Sequence, residues 1–219
     1  MTVGLRNTGL RVLALTDTDS YLKWGAATLD TLPAEWPTRV LVLRSPAAPT
    51  PPQRATALAG TRFAGAGAGD VTLWTLGTAL DEFSPDVLLV ATTGPVADLV
   101  VRLARGRWGR RRRGRVPLIV TGLPGMSIPA TELAVRLRAG ADLFVTHSVR
   151  ERRDFAALAG GLGLGMRVEL ARLPFLPGAG GGAVEEAGAV APHGTAPAPS
   201  PSDTAFLAAA HPAPVRRVL

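Results

Sequence analysis

With 219 residues, 47% apolar and only 5% aromatic, the chain holds enough material for one domain, or one and a half, around a core of Leu, Val and Ala. It contains no cysteine, which excludes disulfides, thiolate metal sites and a Cys nucleophile; its three His show no HExxH-like spacing, which argues against zinc. The net charge of +7 is local, because Arg102, Arg105, Arg107, Arg110, Arg111, Arg112, Arg113 and Arg115 bring +8 with no acid among them and leave the rest at −1.

The first predicted strand, Leu10–Thr16, runs into a predicted helix, Ser20–Leu32. The turn between them and the start of that helix crowd Asp17, Asp19, Ser20 and Lys23, the chain's one lysine, into seven residues. A second strand follows at Arg39–Leu43. The run GAGAG (Gly65–Gly69) has the glycines of a dinucleotide fingerprint but precedes a strand, where the fingerprint joins a strand to a helix. A helix over Leu76–Phe83 leads to the strand Asp86–Ala91, the turn TTGP (Thr92–Pro95) and a helix over Pro95–Ala104 with proline in its first turn. Beyond the arginine run come the strand Val116–Thr121, the turn TGLPGMS (Thr121–Ser127) and a helix over Ile128–Ala139 closed by Gly140. The strand Asp142–Thr146, the turn THS (Thr146–Ser148), a helix over Val149–Leu158 and a last strand, Arg167–Ala171, complete the series. GGLGLG (Gly160–Gly165) again stands ahead of a strand.

The strands are continuous apolar runs, the pattern of strands covered on both faces. Their alternation with helices predicts a doubly wound, mainly parallel, Rossmann-like α/β sheet over residues 1–176. Residues 177–203 are mostly Gly, Ala, Pro and Ser without periodicity and read as a flexible linker. Residues 204–219 close with Val215-Arg216-Arg217-Val218-Leu219, which reads as the opening of a strand in a second domain that is missing or truncated. No basic stretch followed by an apolar one opens the chain and no apolar run approaches about 18 residues, so a cytoplasmic location is expected.

In an open parallel sheet every strand-to-helix turn emerges on one edge, where helix N-termini offer free N–H groups. TDTDSYLKW, TTGP, TGLPGMS and THS therefore share an address, and hydroxyls, glycines, carboxylates and an imidazole meet there. Each has a plain reading as well. Ser20, Ser127 and Ser148 stand where helices begin and suit N-capping; Asp17 and Asp19 suit turn bracing; Gly122, Pro124 and Gly125 suit a turn. His147 is the one His inside the predicted domain and suits a structural hydrogen bond. No GxxxxGK[ST] and no GxSxG occurs, and the acid–acid–Lys set of a phospho-receiver is met only by Asp17 and Asp19.

The run Arg105–Arg115 joins a helix back to the strand at Val116 and so belongs to the opposite edge, away from that crevice. An anionic membrane surface is its functional candidate, which would place the protein peripherally at the inner membrane face. Nucleic acid is the weaker one, since only Trp108 is interleaved for stacking. The plain alternative is a solvated loop built from Arg-rich codons, for 23 of the 24 basic residues are Arg.

With LRVLALTDTDSYLKWG, SPDVLLVATTGPVADLVVR, VTGLPGMSIPAT and GADLFVTHSVRERRDF, the chain resembles a sparsely characterised group of glycosyltransferases of high-GC bacteria, over roughly residues 10–176. The resemblance implies a GT-B architecture, two Rossmann-like domains across a cleft, of which this chain supplies the N-terminal, acceptor-side half and lacks the donor half; alone it would be inactive or nearly so. It implies sugar transfer from a nucleotide-activated donor, a co-substrate with no further cofactor, to an acceptor hydroxyl on a small molecule or glycan. Asp19 and His147 lead as the base, with Asp17 behind them as the more structural residue. Thr92, Thr93, Gly94 and the Gly122–Ser127 loop with Gly125, Met126 and Ser127 would line the acceptor pocket or meet donor phosphate, with Ser20, Lys23 and Ser148 as further binding candidates. It implies no metal: DTD (Asp17–Asp19) matches DxD formally but follows the first strand, where that motif is not expected. The alternatives are a non-catalytic sugar or nucleotide binding domain and a GT-B-like epimerase or glycerophosphate-type transferase.

Overall fold

The computed structural model describes residues 9–109 and 116–175, without the side chains of 108 and 109. The expected linker 177–203, the expected second-domain start 204–219 and the arginines 110–113 and 115 lie outside the described residues. The elements run β1 (Val12–Thr16), α1 (Asp19–Asp30), β2 (Thr38–Leu43), α2 (Pro51–Leu58), α3 (Phe63–Ala66), β3 (Gly69–Val71), α4 (Leu73–Phe83), β4 (Val87–Ala91) and α5 (Gly94–Gly109). After the gap follow β5 (Leu118–Gly122), α6 (Glu132–Arg136), β6 (Leu143–Thr146), α7 (Val149–Gly161) and β7 (Arg167–Leu170).

The seven strands form one sheet in the order β3-β2-β1-β4-β5-β6-β7, every neighbouring pair parallel. This is the doubly wound Rossmann-like arrangement: the chain leaves β1 toward β2 on one side and leaves β4 toward β5 on the other. The period of two along each strand divides the core. Leu13, Leu15, Leu88 and Val90 face one layer with Leu76 and Leu80 of α4, Ala97 and Val100 of α5, Val135 of α6 and Phe155 of α7. Val12, Ala14, Leu89 and Ala91 face the other, with Leu22 and Trp24 of α1, Leu58 of α2 and Phe63 of α3. Every residue of β1 is buried, which is why VLALT reads as an unbroken apolar run. Among the described residues no helix is long and apolar enough to cross a membrane.

The sequence reading needs four corrections. The helix expected over 128–139 is only Glu132–Arg136, capped by the Thr131 side chain on the Ala134 N–H. Pro129 cannot donate a helical N–H and disfavours helix at Ile128, and the Ser127 amide is bonded to Glu151 instead. Ser127 is thus no N-cap. Neither is Ser20: Thr18 is the cap residue of α1, and Ser20 lies inside the first turn. The elements α2, α3 and β3 were not anticipated. The first carries its own start signal, the Thr50-x-x-Gln53 pattern, in which Gln53 Oε1 accepts the Thr50 N–H and hydroxyl, with proline in the first turn, whereas β3 spans three residues and leaves no periodicity to read.

Candidate functional site

The strand order reverses between β1 and β4, so the crevice opens at the tips of those two strands. Asp17, the first residue past β1, crosses it. Its carboxylate accepts the Thr93 N–H at 2.9 and 3.1 Å and the Thr93 hydroxyl at 2.6 Å, and the residue is 2% exposed. Burial raises the Asp17 carboxyl above its ordinary 3.8, against the opposing pull of the Thr93 bonds and of the nearby Arg138 charge. Asp17 therefore fills the anion position at the start of α5 with a group of the protein itself.

Arg138, just past α6, is equally buried. Its Nη2 donates to the Tyr21 hydroxyl at 3.0 Å and to the Thr92 carbonyl at 3.1 Å, and its Nη1 to the Ala134 carbonyl at 3.2 Å. One guanidinium ties α1, the tip of β4 and α6 together. Among the described residues, Arg138 Nε, Thr92 Oγ1 and Trp24 Nε1 are buried side-chain polar atoms with no hydrogen-bond partner. Gly94 opens α5 without a side chain because a Cβ there would stand 2.6 Å from Leu137 Cδ1.

On the other flank Glu151 organises two turns. Ser148 caps α7 by accepting the Glu151 N–H at 3.2 Å, and the Glu151 carboxylate accepts the Ser148 hydroxyl and the His147 N–H, each at 3.1 Å. The same carboxylate, on a residue 1% exposed, accepts the Ser127 N–H and pins the β5–α6 turn to the start of α7. His147 joins this lattice through both ring nitrogens, Nδ1 at 2.9 Å from the Ala171 carbonyl and Nε2 at 2.9 Å from the Leu123 carbonyl. Carbonyls only accept, so both contacts are satisfied when the ring carries two protons; a neutral ring satisfies one. To serve as a base, His147 has to release one carbonyl.

Trp24 of α1, 1% exposed, closes the gap between the flanks: its ring stands edge-on to His147 at 5.8 Å and against Gly122, where a Cβ would fall 2.7 Å from its Cη2. Along this rim Asp17, Thr92, Gly94, Gly122, Arg138, His147 and Glu151 are thus held by hydrogen bonds or close packing. Asp19, Ser20 and Lys23 of α1 and Met126 are exposed, and Thr93, Gly125, Ser127 and Ser148 are half-buried. A Cβ at Gly125 would meet open space. Asp19 stands in the first turn of α1, where its Oδ1 accepts the Ser20 hydroxyl at 3.5 Å. Lys23 places its ammonium 5.2 Å from the Phe175 ring centre. Among the described residues no group of three or more His, Cys, Asp or Glu is placed to hold a metal ion.

Sequence reasoning missed Arg138, Glu151, Tyr21 and Trp24. The pattern Ser148-x-x-Glu151 is a capping-box signal and would have marked Glu151. Arg138 gives no such signal, being one arginine among 23. At the opposite edge a shallow depression of about 370 Å³ is lined by Asp86, Arg105, Val116, Pro117, Leu118 and Asp142. It lies far from the convergent turns. There the described arginines of the run are already engaged, Arg105 with Asp142 and the Gly140 carbonyl and Arg107 with Asp81.

No curated protein matched the sequence. A family model described as "Putative glycosyltransferase (DUF6716)" matches residues 12–217, from the first residue of β1 to past the last described element. With the match running over nearly its whole length and a Rossmann-like sheet beneath it, the chain belongs to this glycosyltransferase-like family.

Proposed function

We propose that the crevice at the tips of β1, β4, β5 and β6 is the acceptor side of a GT-B-type glycosyltransferase, which transfers a sugar from a nucleotide-activated donor to an acceptor hydroxyl. The observation that carries this reading is the division among the carboxylates of the rim. Asp17 and Glu151 are buried and hydrogen-bonded by backbone N–H groups, whereas Asp19 stands exposed beside them at the start of α1. A base must reach its substrate, and of these three only Asp19 is free to do so.

In the proposed step the Asp19 carboxylate takes the proton of the acceptor hydroxyl as that oxygen bonds to the anomeric carbon of the donor. The bond from that carbon to the nucleotide diphosphate breaks, and the diphosphate leaves with the electron pair. Ser20, Lys23, Thr93 and the exposed edge of the Gly122–Ser127 loop orient the acceptor. Asp17 ties the tip of β1 to the start of α5, and Arg138 ties α1, the tip of β4 and α6 together. His147 holds the β5–α6 turn and serves as base only with one carbonyl released.

The test is made on a family member that carries both Rossmann-like halves: the residue matching Asp19 is changed to Asn, and release of nucleotide diphosphate from a panel of sugar nucleotides is followed with acceptor glycans present. A lost general base lowers turnover by about 100-fold or more. The melting temperature should fall by no more than a few degrees, since Asp19 is exposed and its loss removes only a first-turn charge and the Ser20 bond. Full turnover in that variant, or no release from any panel member by the unmodified two-domain enzyme, would overturn the proposal.

A further inference from the structure

Among the described large apolar residues Trp74 is the most exposed, at 95%. It is not needed for folding: α4 buries Leu76, Gly77, Leu80 and Phe83 on its inner face and leaves the indole in water. Its place is informative. Trp74 stands in the first turn of α4, directly after β3, and so on the same rim as Asp19. The register aligns Thr16 of β1 with Val42 of β2 and Asp70 of β3, so these three tips are level. At about 4.8 Å per strand, the tip of β3 is roughly 10 Å from that of β1.

Between them, directly after β2, stands Arg44, its side chain 67% exposed. It meets Asp70 only at 3.6 Å, while Asp70 is held more closely by Arg54 at 2.6 Å. The rim from β1 to β3 thus presents a carboxylate, a guanidinium with donors to spare and an open indole face. A protein-binding patch would set the aromatic ring among other apolar groups. Here its neighbours along the chain are, apart from Leu73, the polar Asp70, Thr72 and Thr75, and Asp70 in turn meets Arg44. That mixture suits a sugar, whose hydroxyls bond to charged and amide-like groups and whose C–H face stacks on an aromatic ring.

We infer that Trp74 is the stacking platform for a remote ring of a carbohydrate acceptor that lies across the tips of β1, β2 and β3, with Arg44 bonding the hydroxyls between. The span exceeds one sugar ring, so the acceptor is an oligosaccharide. The location of the reacting hydroxyl at Asp19 rests on the proposed function; sugar binding at Trp74 does not.

The test uses tryptophan emission of the whole chain, with W74F giving the difference spectrum of Trp74 alone. The probes are cellotetraose, maltotetraose, mannotetraose and chitotetraose, each against its monosaccharide. One tetrasaccharide should shift Trp74 emission to shorter wavelength, saturably, and bind about tenfold tighter than its monosaccharide, the scale of one aromatic contact. W74A should lose about tenfold of that affinity and R44A a smaller part, both with unchanged melting temperature. The inference is overturned if no tetrasaccharide shifts the emission or if W74A binds as well as wild type. A shift that tracks protein concentration, as a second copy covering the indole would give, overturns it too. Failure here, with the Asp19 counterpart still required for transfer in the two-domain enzyme, leaves the proposed function standing; sugar binding at Trp74 with no transfer by that enzyme removes the proposed function alone.

Discussion

Gly122→Ala tests whether α1 closes on β5 as tightly as the structure shows. A Cβ at this position would stand 2.7 Å from Trp24 Cη2, 3.0 Å from its Cζ2 and 2.9 Å from the Val145 carbonyl oxygen. No single adjustment relieves all three. Val145 is the ladder partner of Gly122 in β6, so its carbonyl moves only with the strand. Trp24 is 1% exposed and wedged against His147. Overpacking of this kind costs about 1–3 kcal/mol, less the roughly 0.5–1 kcal/mol recovered when a strand glycine becomes alanine. At about 2–4 °C per kcal/mol for a domain of this size, the melting temperature should fall by several degrees. Thermal and urea unfolding of G122A, W24F and the double variant measure it. Phenylalanine withdraws the far edge of the ring, so the double variant should be more stable than the two single losses predict, by about 0.5–2 kcal/mol. Wild-type stability in G122A, or strictly additive losses, would refute the packing argument.

The other predictions concern the buried carboxylates. Burial holds the Asp17 carboxyl above 3.8, so the folded protein keeps a proton that the unfolded chain has released; this site's contribution is full below 3.8 and is lost as pH rises through the folded value. Asp17→Asn should flatten that segment of the stability–pH curve, measured by urea unfolding across the acid range, and an unchanged slope would count against the assignment. Glu151→Gln turns an NH₂ group toward a backbone N–H that needs an acceptor, at a cost of about 1–3 kcal/mol. Amide hydrogen exchange should quicken at Ser127 and His147, which Glu151 bonds, and stay unchanged at Thr93, which it does not touch.

How much of this could be read from residues alone follows from the range over which each signal acts. Unbroken apolar runs such as VLALT and VLLVA are local and unambiguous, and they sufficed for the parallel sheet and for the edge on which the polar turns fall. The short α6 was misjudged because the local Pro129 signal was overlooked and the second cause lies 24 residues away, where Glu151 claims the Ser127 amide. Asp17 and Asp19 look alike in sequence, two residues apart in one turn. Only the tertiary partner Thr93, 76 residues away, separates the buried one from the exposed one. His147 was legible as a rim residue, but its two carbonyl partners come from turns after β5 and β7 that no local pattern links to it.

These long-range bonds share a direction. The Thr93 amide points at Asp17, the Ser127 and His147 amides at Glu151, and the Thr92 carbonyl at Arg138. Each replaces water at a strand tip with a charged side chain of the protein, and hydrogen bonds to charged groups are the stronger ones at about 1.5–3 kcal/mol each. A rim whose loops were held by the ligand would leave those groups for the ligand to satisfy. Here the loops are bonded before anything binds, and the groups still facing solvent are Asp19, Ser20, Lys23 and Arg44 with the indole of Trp74. Such a surface loses little entropy when a ligand docks; on the proposed function, binding energy is then left to orient the acceptor hydroxyl rather than to order the loops.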